Sequence, residues 1–506
     1  MHRKHAEPIK NRARRRQPMY QKREKQISLY ENSICFATGA PLDPQNRWVK
    51  LSGMIPWDQI EEKYSLTFDN PIKGSPAKSC RMAIGSLIIK EMLQLSDEDT
   101  VAMITENPYL QFFIGLSAFT NKEPFDASTM TLFRKRLSPE MMAQINQLII
   151  DGGKHDPDDA DPGSGGSAEE MQEDTPNEPD NKGTLIVDAT CAPADIHFPT
   201  DVSLLSEARE KLEGMIDTLH DAKRGPKART YREKARKQYL QLVRNRKPRY
   251  RQIRKANRQQ LNYVRRDLQI VRELQHVSER SLCAKQKQYL KVIEELYYQQ
   301  KTMYDNKVHK IEHRIVSIHQ PWIRPIVRGK ATANVEFGAK ISISMTDGYS
   351  MIEHVDWEAF NEAGDLQGIC ERYKDRTGHY PERILGDKIY RNRTNLQYCE
   401  KHNIRMNGPK LGRPPKDPVL YTQQKRMERQ ESGERNAVEG KFGEGKRFYG
   451  LGRVMTRLQG TSEVAIHLTF LVMNLQKRLR DLLLSIFRWL LTGKMPTCVA
   501  CVFDQV

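Results

Sequence analysis

A stretch of 32 residues that cannot form a hydrophobic core divides this chain of 506 residues into two foldable parts. Residues 151–182 read DGGKHDPDDADPGSGGSAEEMQEDTPNEPDNK, which is rich in Gly, Pro and acidic residues and almost free of apolar side chains. A segment of this composition buries too little apolar surface to offset the entropy that folding removes. We therefore predict an acidic disordered linker at 151–182, with folded domains on both sides of it.

The part before the linker has the pattern of a small helical domain, which we place at residues 76–150. Apolar residues recur there at helical spacing, and Ser96 with Asp99 has the pattern of a capping box. The stretch DASTMTLFRKRL ends in a short basic helix with Arg134 and Arg136. Helices joined by tight turns, the last of them basic, are typical of a helix-turn-helix-like DNA-binding domain, in which both arginines would contact DNA. An ordinary helical bundle with a solvated basic end is the alternative.

The chain is strongly basic, with 82 Lys and Arg residues against 64 Asp and Glu residues and a net charge of +18. Much of the surplus is clustered, beginning in residues 1–75, which we interpret as a basic N-terminal arm and lead-in. Clustered positive charge predicts a polyanionic partner, and nucleic acid is the expected one. The apolar run LRDLLLSIFRWLL at 479–491 is too short for a membrane span and is interrupted by charges. We therefore predict a cytoplasmic protein, associated with the nucleoid when it binds DNA, and no membrane partner.

The part after the linker alternates strand and helix patterns, which predicts an α/β domain with a mixed sheet at 183–480 and a C-terminal tail at 481–506. Strands are expected in GTLIVDAT, HRIVSIH, FGAKISISM, YSMIEHVDW and RILGDKIY, with a short one in NIRMNGP. A large helical insertion is expected at 204–311. Its Lys, Arg and Tyr residues between 223 and 259 suit contacts to phosphates and stacking on bases or sugars. A solvated helix face is the alternative.

The stretch ERNAVEGKFGEGKRFYG at 434–450 fits two motifs. Its G-x-x-x-x-G-K pattern begins a phosphate-binding loop, but position 447 is Arg where Ser or Thr would be needed, and no apolar strand precedes it. The other pattern is R-x3-E-x6-K, formed by Arg435, Glu439 and Lys446. Arg435 and Glu439 are four residues apart and share one helix face. The glycines that follow are expected to fray or end this helix, which would place Lys446 on a loop near a phosphate.

Two further acids complete a possible metal-binding set with Glu439. Asp188 and Asp387 each end an apolar strand, where a carboxylate is costly unless it is paired or binds a metal. Three converging carboxylates suit hard cations, so we predict a site for Mg²⁺ or Mn²⁺. Two such ions can serve the attacking and the leaving oxygen in phosphoryl transfer. Other nearby acids are ranked lower, because they lie in a polar loop or do not keep the motif's spacing: Asp195, Asp201, Glu434 and Glu444.

Two shorter motifs carry weaker predictions. The stretch KLGRPPKD contains a Gly-Arg-Pro core in which Arg413 is predicted to enter a DNA minor groove, with a stiff polar linker as the alternative. Cys498 and Cys501 form a C-x-x-C pair, but no second pair of ligands for zinc is evident. The eight cysteines are scattered along a large chain, which favours reduced thiols.

The motifs that contain the three acids resemble those of the DDE transposases of bacterial insertion sequences. The resemblance rests on IVDAT with Asp188, LGDKIYRN with Asp387, and the R-x3-E-x6-K signature. It covers the chain from about residue 76 to 479, apart from the linker and the insertion. The family signature begins with a Tyr three residues before the Arg, and this chain has Ser432 at that position.

The resemblance implies a fold, an activity and partners. The catalytic domain would be RNase H-like, and Asp188, Asp387 and Glu439 would be its metal-binding triad. Arg435 and Lys446 would hold DNA backbone or terminal bases. The protein would bind the double-stranded terminal repeats of its element as a homodimer or higher assembly, cleave the strands with two divalent metal ions, and transfer the 3′-OH ends to target DNA. A related metal-dependent nuclease and a domesticated DNA-binding protein without catalysis are the alternatives.

Overall fold

The structure is a computed structural model that describes most of the chain. The described residues are 20, 42–68, 77–152, 181–221, 225–327, 335–408 and 417–492. Several predicted features lie outside them: most of the N-terminal arm and of the acidic linker, the Arg413 motif, and the pair Cys498 and Cys501. These features stay predictions.

The chain divides into two compact units. One unit comprises residues 1–168 together with 471–506, and the other comprises residues 169–470. The last helix of the chain therefore contributes to both units, which the sequence pattern did not anticipate. The domain boundaries given above stay predictions.

The first unit is helical in the residues described. Two helices precede residue 76, in the segment interpreted as a lead-in. In chain order, the helices are α1 (Arg47–Met54), α2 (Trp57–Ser65), α3 (Cys80–Leu93), α4 (Asp97–Glu106), α5 (Pro108–Phe113), α6 (Thr129–Arg136) and α7 (Pro139–Asp151).

Helix α3 lies at the centre of this unit. Its side chains Ile84, Leu87 and Ile88 are fully buried. Arg81 is also buried, and it donates hydrogen bonds to the carbonyl oxygens of Phe112 and Phe113 at the end of α5. A buried guanidinium is tolerated there because it satisfies carbonyl groups that the end of a helix leaves without partners.

The start of α4 confirms the predicted cap. The Asp99 N–H donates to the Ser96 hydroxyl oxygen at 3.0 Å, and the Ser96 hydroxyl in turn donates to the Asp99 carboxylate. Such a cap satisfies an N–H group that has no partner within the helix.

The second unit is built on a mixed six-stranded sheet, which confirms the predicted α/β class. Strand β3 pairs antiparallel with β1, β2 and β4, whereas β5 runs parallel to both β1 and β6. The strand order is β2-β3-β1-β5-β6, with β4 beside β3. The strands are β1 (Thr184–Pro193), β2 (Arg324–Val327), β3 (Val335–Thr346), β4 (Tyr349–Asp356), β5 (Arg383–Leu385) and β6 (Arg405–Met406).

The helices of this unit include four that lie between β1 and β2 and form the helical insertion. The helices are α8 (Asp201–Leu219), α9 (Arg232–Val243), α10 (Tyr250–Val277), α11 (Ala284–Asn306), α12 (Leu366–Thr377), α13 (Arg393–Lys401), α14 (Pro418–Phe448) and α15 (Gln459–Thr492). Helices α8, α10 and α11 share one apolar core, which includes Leu212, Val264 and Ile293.

The prediction of a strand in HRIVSIH was wrong. Residues 313–319 have no strand structure. Ile315 and Ile318 are instead buried in the core of the helical insertion, and the Ile315 N–H donates to the side-chain oxygen of Gln299 at 2.9 Å. Apolar side chains in a short run are stabilised by burial whether or not their backbone pairs in a sheet. The apolar pattern alone therefore could not distinguish a strand from a buried loop.

The prediction that glycines fray or end the helix that carries Arg435 and Glu439 was also wrong. Helix α14 continues through Gly440, Gly443 and Gly445 to Phe448. Interior glycines each cost about 1 kcal/mol relative to Ala, but a long helix anchored by buried side chains such as Val438 and Phe442 can bear this cost. The helical backbone excludes a phosphate-binding loop at 440–446, as expected, and places Lys446 on the helix.

Within the part of the chain that the structure describes, we find no helix that combines the length and the apolar character needed to cross a membrane.

Candidate active site

Asp188 lies within strand β1, and Asp387 lies two residues beyond the end of the neighbouring strand β5. Strands β1 and β5 are parallel, and Ile186 pairs with Leu385. Each aspartate is two residues further along its own chain, so the two acids are level with each other. Asp188 does not end its strand as predicted, because β1 continues to Pro193 along β3. A long antiparallel ladder extends the strand beyond its apolar part.

The backbone before Asp387 is held by a residue that the sequence analysis missed. The Asn407 side chain accepts a hydrogen bond from the Gly386 N–H at 3.0 Å and donates one to the Gly386 carbonyl at 3.1 Å. Asp387 then accepts from the N–H of Lys388 at 2.7 Å. Asn407 therefore acts as a positioning residue for Asp387. Its position just after the short strand β6 was the available signal.

Helix α14 brings Arg435 and Glu439 to Asp188. The Arg435 guanidinium lies 3.1 Å from a carboxylate oxygen of Glu439 and 3.6 Å from one of Asp188. Arg435 and Asp188 are about one-fifth exposed, whereas Glu439 is more than half exposed. Arg435 thus bridges Asp188 on β1 and Glu439 on α14. The helical spacing of Arg435 and Glu439 alone could not predict the contact with Asp188.

The electrostatics of Asp188 indicate that it responds to the charges of the other two acids. Burial raises the pKa of Asp188 above its ordinary value. The Ala189 N–H and the positive charge of Arg435 lower this pKa, and the negative charges of Asp387 and Glu439 raise it. Asp188 therefore lies in a place where a further positive charge would be stabilised.

The donor chemistry of these acids fits a divalent cation, but their arrangement does not yet form a metal site. Carboxylate oxygens are the ligands that Mg²⁺ and Mn²⁺ prefer. Among the described residues, no group of three or more His, Cys, Asp or Glu side chains is close enough to hold an ion. The bridging guanidinium of Arg435 supplies the positive charge between Asp188 and Glu439 in this arrangement.

The acids ranked lower in the sequence analysis each have another cationic partner. Asp195 pairs with Arg453. The other three acids form the ion pairs Asp201–Arg314 at 2.7 Å, Glu434–Arg383 at 2.8 Å and Glu444–Lys441 at 3.4 Å. None of these pairs involves Arg435, which favours the original choice of Glu439 over Glu434 and Glu444.

The predicted DNA contacts of the first unit occupy intramolecular positions. Arg134 is buried, and its guanidinium forms hydrogen bonds of 3.0 Å and 2.5 Å to the two carboxylate oxygens of Asp97. Burial raises the pKa of Asp97, but Arg134 and Lys90 outweigh it and hold this pKa below its ordinary value. Arg136 stacks over the ring of Phe68 at 4.3 Å. This placement favours a structural role for Arg134.

The chain matches two transposase families. Residues 384–476 match the family described as "Transposase DDE domain", and residues 38–136 match "Transposase domain (DUF772)". The first match includes Asp387, Arg435, Glu439 and Lys446. No solved structure matches the chain.

A relative in Rhizobium meliloti, named as uncharacterized protein ORF8 in the nfe locus, is 32% identical over 173 residues. The match covers 34% of this chain and 74% of that protein. Together with the two family matches, this relative shows that the chain belongs to the DDE transposases of insertion sequences.

Proposed function

We propose that this protein is an active transposase that cleaves DNA at the ends of its element and joins the 3′-OH ends to target DNA. The observation that carries the proposal is the position of Asp188 in β1 beside Asp387 just after the neighbouring β5, with Glu439 linked to Asp188 through Arg435. Three acids gathered beside a single bridging arginine have a use in phosphoryl transfer. A protein that only binds DNA has no use for them.

The three acids are the proposed ligands of divalent metal ions, Mg²⁺ or Mn²⁺. When bound, such ions supply Lewis-acid activation of the attacking oxygen and stabilise the leaving oxygen. Asp188 and Asp387 are fixed by the backbone N–H groups that they accept from. Glu439 is exposed on its helix and can change rotamer at little cost. We propose that Glu439 turns toward the two aspartates when Arg435 turns away.

Arg435 and Lys446 are the proposed contacts to DNA near the cleaved bond. Both lie on α14, eleven residues apart, which places them on one side of a continuous helix, about 16 Å apart along its axis. Arg435 can exchange the carboxylates for a phosphate, because a guanidinium binds either group through the same pair of donors. Arg413 and Arg136 remain further proposed contacts.

The finer fold assignments are part of the same proposal. A mixed sheet with one acid in β1, a second just after the neighbouring β5 and a third on a helix supports an RNase H-like catalytic domain. The short connections between α4 and α5 and between α6 and α7 support the helix-turn-helix-like assignment of the first unit, whereas residues 114–128 form a longer connection between α5 and α6. Assembly of two or more copies on double-stranded DNA is proposed because two element ends must be joined.

The proposal is tested by strand cleavage of a duplex that carries an element end, in Mg²⁺ and in Mn²⁺. Asp188→Asn, Asp387→Asn and Glu439→Gln should each abolish cleavage and retain DNA binding, because the charge is removed and the size is kept. Glu434→Gln is the matched control on the same helix and should cleave like the wild type. Full cleavage by Glu439→Gln would contradict the assignment.

A second assay separates transposition from the related nuclease activity. Labelled element ends with free 3′-OH groups are incubated with supercoiled target DNA and Mg²⁺. Joined products indicate a transposase, and cleavage without joining indicates a nuclease. A wild-type protein that binds these ends but neither cuts nor joins them would favour the domesticated DNA-binding protein.

A further inference from the structure

Helix α10 carries a row of exposed cations that face away from its packed side. The row, here called the α10 stripe, consists of the four cations Arg251, Lys255, Arg258 and Arg265 and the neutral Asn262, all exposed. Their spacings of four, three, four and three residues place them on one face of the helix. The stripe is about 21 Å long at 1.5 Å per residue.

The opposite face of α10 anchors the helix firmly. Ala256, Gln260, Val264 and Val271 are buried on that side. Leu261, Val264, Leu268 and Val271 belong to the apolar core that α8 and α11 share. The stripe is therefore mounted on a rigid element, so little conformational entropy of the backbone is lost when a ligand binds along it.

The cations of the stripe have no counter-charge in the described part of the chain. Arg251, Lys255, Arg258 and Arg265 form no ion pair there, whereas Arg272, two turns further along, pairs with Glu294 at 2.8 Å. The sequence between residues 234 and 266 contains thirteen Lys and Arg residues and no Asp or Glu. An ordinary solvated helix face carries mixed charge, so this surface requires another explanation.

The chemistry of the stripe fits phosphates rather than bases. It holds no aromatic residue on which a base could stack. Of the nearby tyrosines, Tyr231 lies beneath the guanidinium groups of Arg229 and Arg266, and Tyr263 is buried. Tyr250 is exposed, but it is a single ring at the first residue of the helix and cannot stack on successive bases along the stripe. Single strands are bound mainly by a combination of stacking and charge, whereas the backbone of a duplex needs only a regular array of cations.

We propose that the α10 stripe is a docking surface for the backbone of double-stranded DNA, bound without regard to sequence. At about 3.4 Å per base pair, its length corresponds to roughly six base pairs. The inference rests on the proposed function in taking DNA as the substrate, and it adds the place and the kind of contact. Such a surface holds flanking or target DNA, whose sequence the protein does not specify.

The test compares two full-length variants that lose the same charge. The stripe variant changes four cations of α10: Arg251→Gln, Lys255→Gln, Arg258→Gln and Arg265→Gln. The control variant changes four exposed lysines elsewhere in the helical insertion: Lys285→Gln, Lys287→Gln, Lys291→Gln and Lys310→Gln. All eight side chains are on the surface, and circular dichroism and melting temperature verify that both variants fold.

Affinity is measured over a range of salt concentrations for a duplex with an element end, a random duplex and single-stranded DNA. For the stripe variant, the slope of log K against log salt should flatten by up to about 3.6, which is 0.9 for each of four phosphate contacts. The loss should be equal on both duplexes and smaller on single-stranded DNA. The control variant should keep a slope near that of the wild type.

Equal slopes for the stripe and control variants would overturn the inference, because the charge would then act only through the net charge of the protein. An equal loss on single-stranded DNA would overturn the preference for duplex. The outcome is separable from that for the proposed function. A wild-type protein that binds through the stripe but never cuts would refute only the latter, and one that cuts while both variants bind alike would refute only the stripe.

Discussion

Charged side chains are paired with one another at the proposed active site but not on the α10 stripe. At the active site, the carboxylates of Asp188 and Glu439 share the guanidinium of Arg435. On the stripe, cations such as Lys255 and Arg258 have no acid beside them in the described residues. A ligand that binds at the proposed active site must therefore displace an existing ion pair within the protein. A phosphate that binds on the stripe displaces no internal ion pair.

The two faces of α10 also differ in charge: one carries the exposed cations of the stripe, and the other carries a buried acid. Asp267, on the side opposite the stripe, is fully buried near Glu213, and neither of its carboxylate oxygens has a hydrogen-bond partner within the described structure. Burial and, to a smaller extent, the Glu213 charge raise the pKa of Asp267, and the nearby arginines lower it; the net pKa is about 7. One helix thus combines an array of exposed cations with a buried acid that resists ionisation.

The largest expected effect is the loss of cleavage when the active-site acids are removed together. Asp188→Asn and Glu439→Gln should each lower the rate of strand cleavage on the order of 10³-fold or more, and the double variant should be little worse, because residues that act as one unit are not additive. The rates are measured under single-turnover conditions on a labelled element end. Losses that multiply would mean that the two acids act independently and that their link through Arg435 has no functional meaning.

The next largest effect concerns the pH dependence of stability at Asp267. An aspartate with a pKa of about 7 in the folded protein and 3.8 in the unfolded chain takes up a proton on folding between those values, so stability should rise as the pH falls through this window. Between pH 7 and pH 5 the gain is at most about 2.7 kcal/mol.

This pH prediction is measured as the melting temperature of the full chain at several pH values. Asp267→Asn should be more stable than the wild type at pH 8 and should lose much of the rise toward pH 5. Asp305→Asn, at an exposed acid of α11, is the control and should follow the wild type. A wild-type rise that survives in Asp267→Asn would assign the effect to another group.

An effect of intermediate size is expected on the free energy of unfolding when Arg134, which is paired with Asp97, is removed. Arg134→Ala leaves the half-buried Asp97 with Lys90 as its remaining partner, at 2.8 Å, and should lower the free energy of unfolding by about 2 kcal/mol. Lys135→Ala, at the exposed neighbouring position, should change it by less than about 0.5 kcal/mol. If Arg134→Ala instead lost discrimination between element-end and random DNA at unchanged stability, this result would support the DNA contact of Arg134 that the sequence predicted.

Much of the proposed active site could be predicted from the sequence because its acids follow buried strands or keep helical spacing. The chain positions of Asp188, Asp387 and Glu439 required only local patterns. The bridging position of Arg435 could not be predicted, because it depends on how α14 packs on the sheet. The two hydrogen bonds of Asn407 were missed for the same reason, since they join parts of the chain that are far apart in sequence.

The limits of local patterns also explain the errors in the fold. The apolar run at 313–319 was assigned to a strand, but apolar burial in the insertion core satisfies it equally well. The glycines at 440–445 indicated the end of a helix, yet tertiary packing of α14 outweighs their low helix propensity. In both places the deciding contacts come from elements that the sequence pattern does not connect.

The smallest expected effect separates Arg435 from the acids that it bridges. Arg435→Gln should weaken binding of element-end DNA about tenfold, or ~1.4 kcal/mol, the worth of one charge-assisted hydrogen bond. Metal affinity should be retained or increased, because a competing positive charge is removed. DNA affinity is measured by fluorescence anisotropy in Ca²⁺, which is expected not to support cleavage. Unchanged DNA binding together with weaker metal binding would give Arg435 a role in holding the acids in place.

The most direct test of the central claim is the binding of Mn²⁺ in the absence of DNA, measured by titration calorimetry. We claim that Asp188, Asp387 and Glu439 together form the metal-binding set of this transposase. The wild type and Glu434→Gln should bind Mn²⁺ with the same affinity, and Glu439→Gln should bind it at least tenfold more weakly. Equal affinity in the wild type and Glu439→Gln, or a loss confined to Glu434→Gln, would contradict the account.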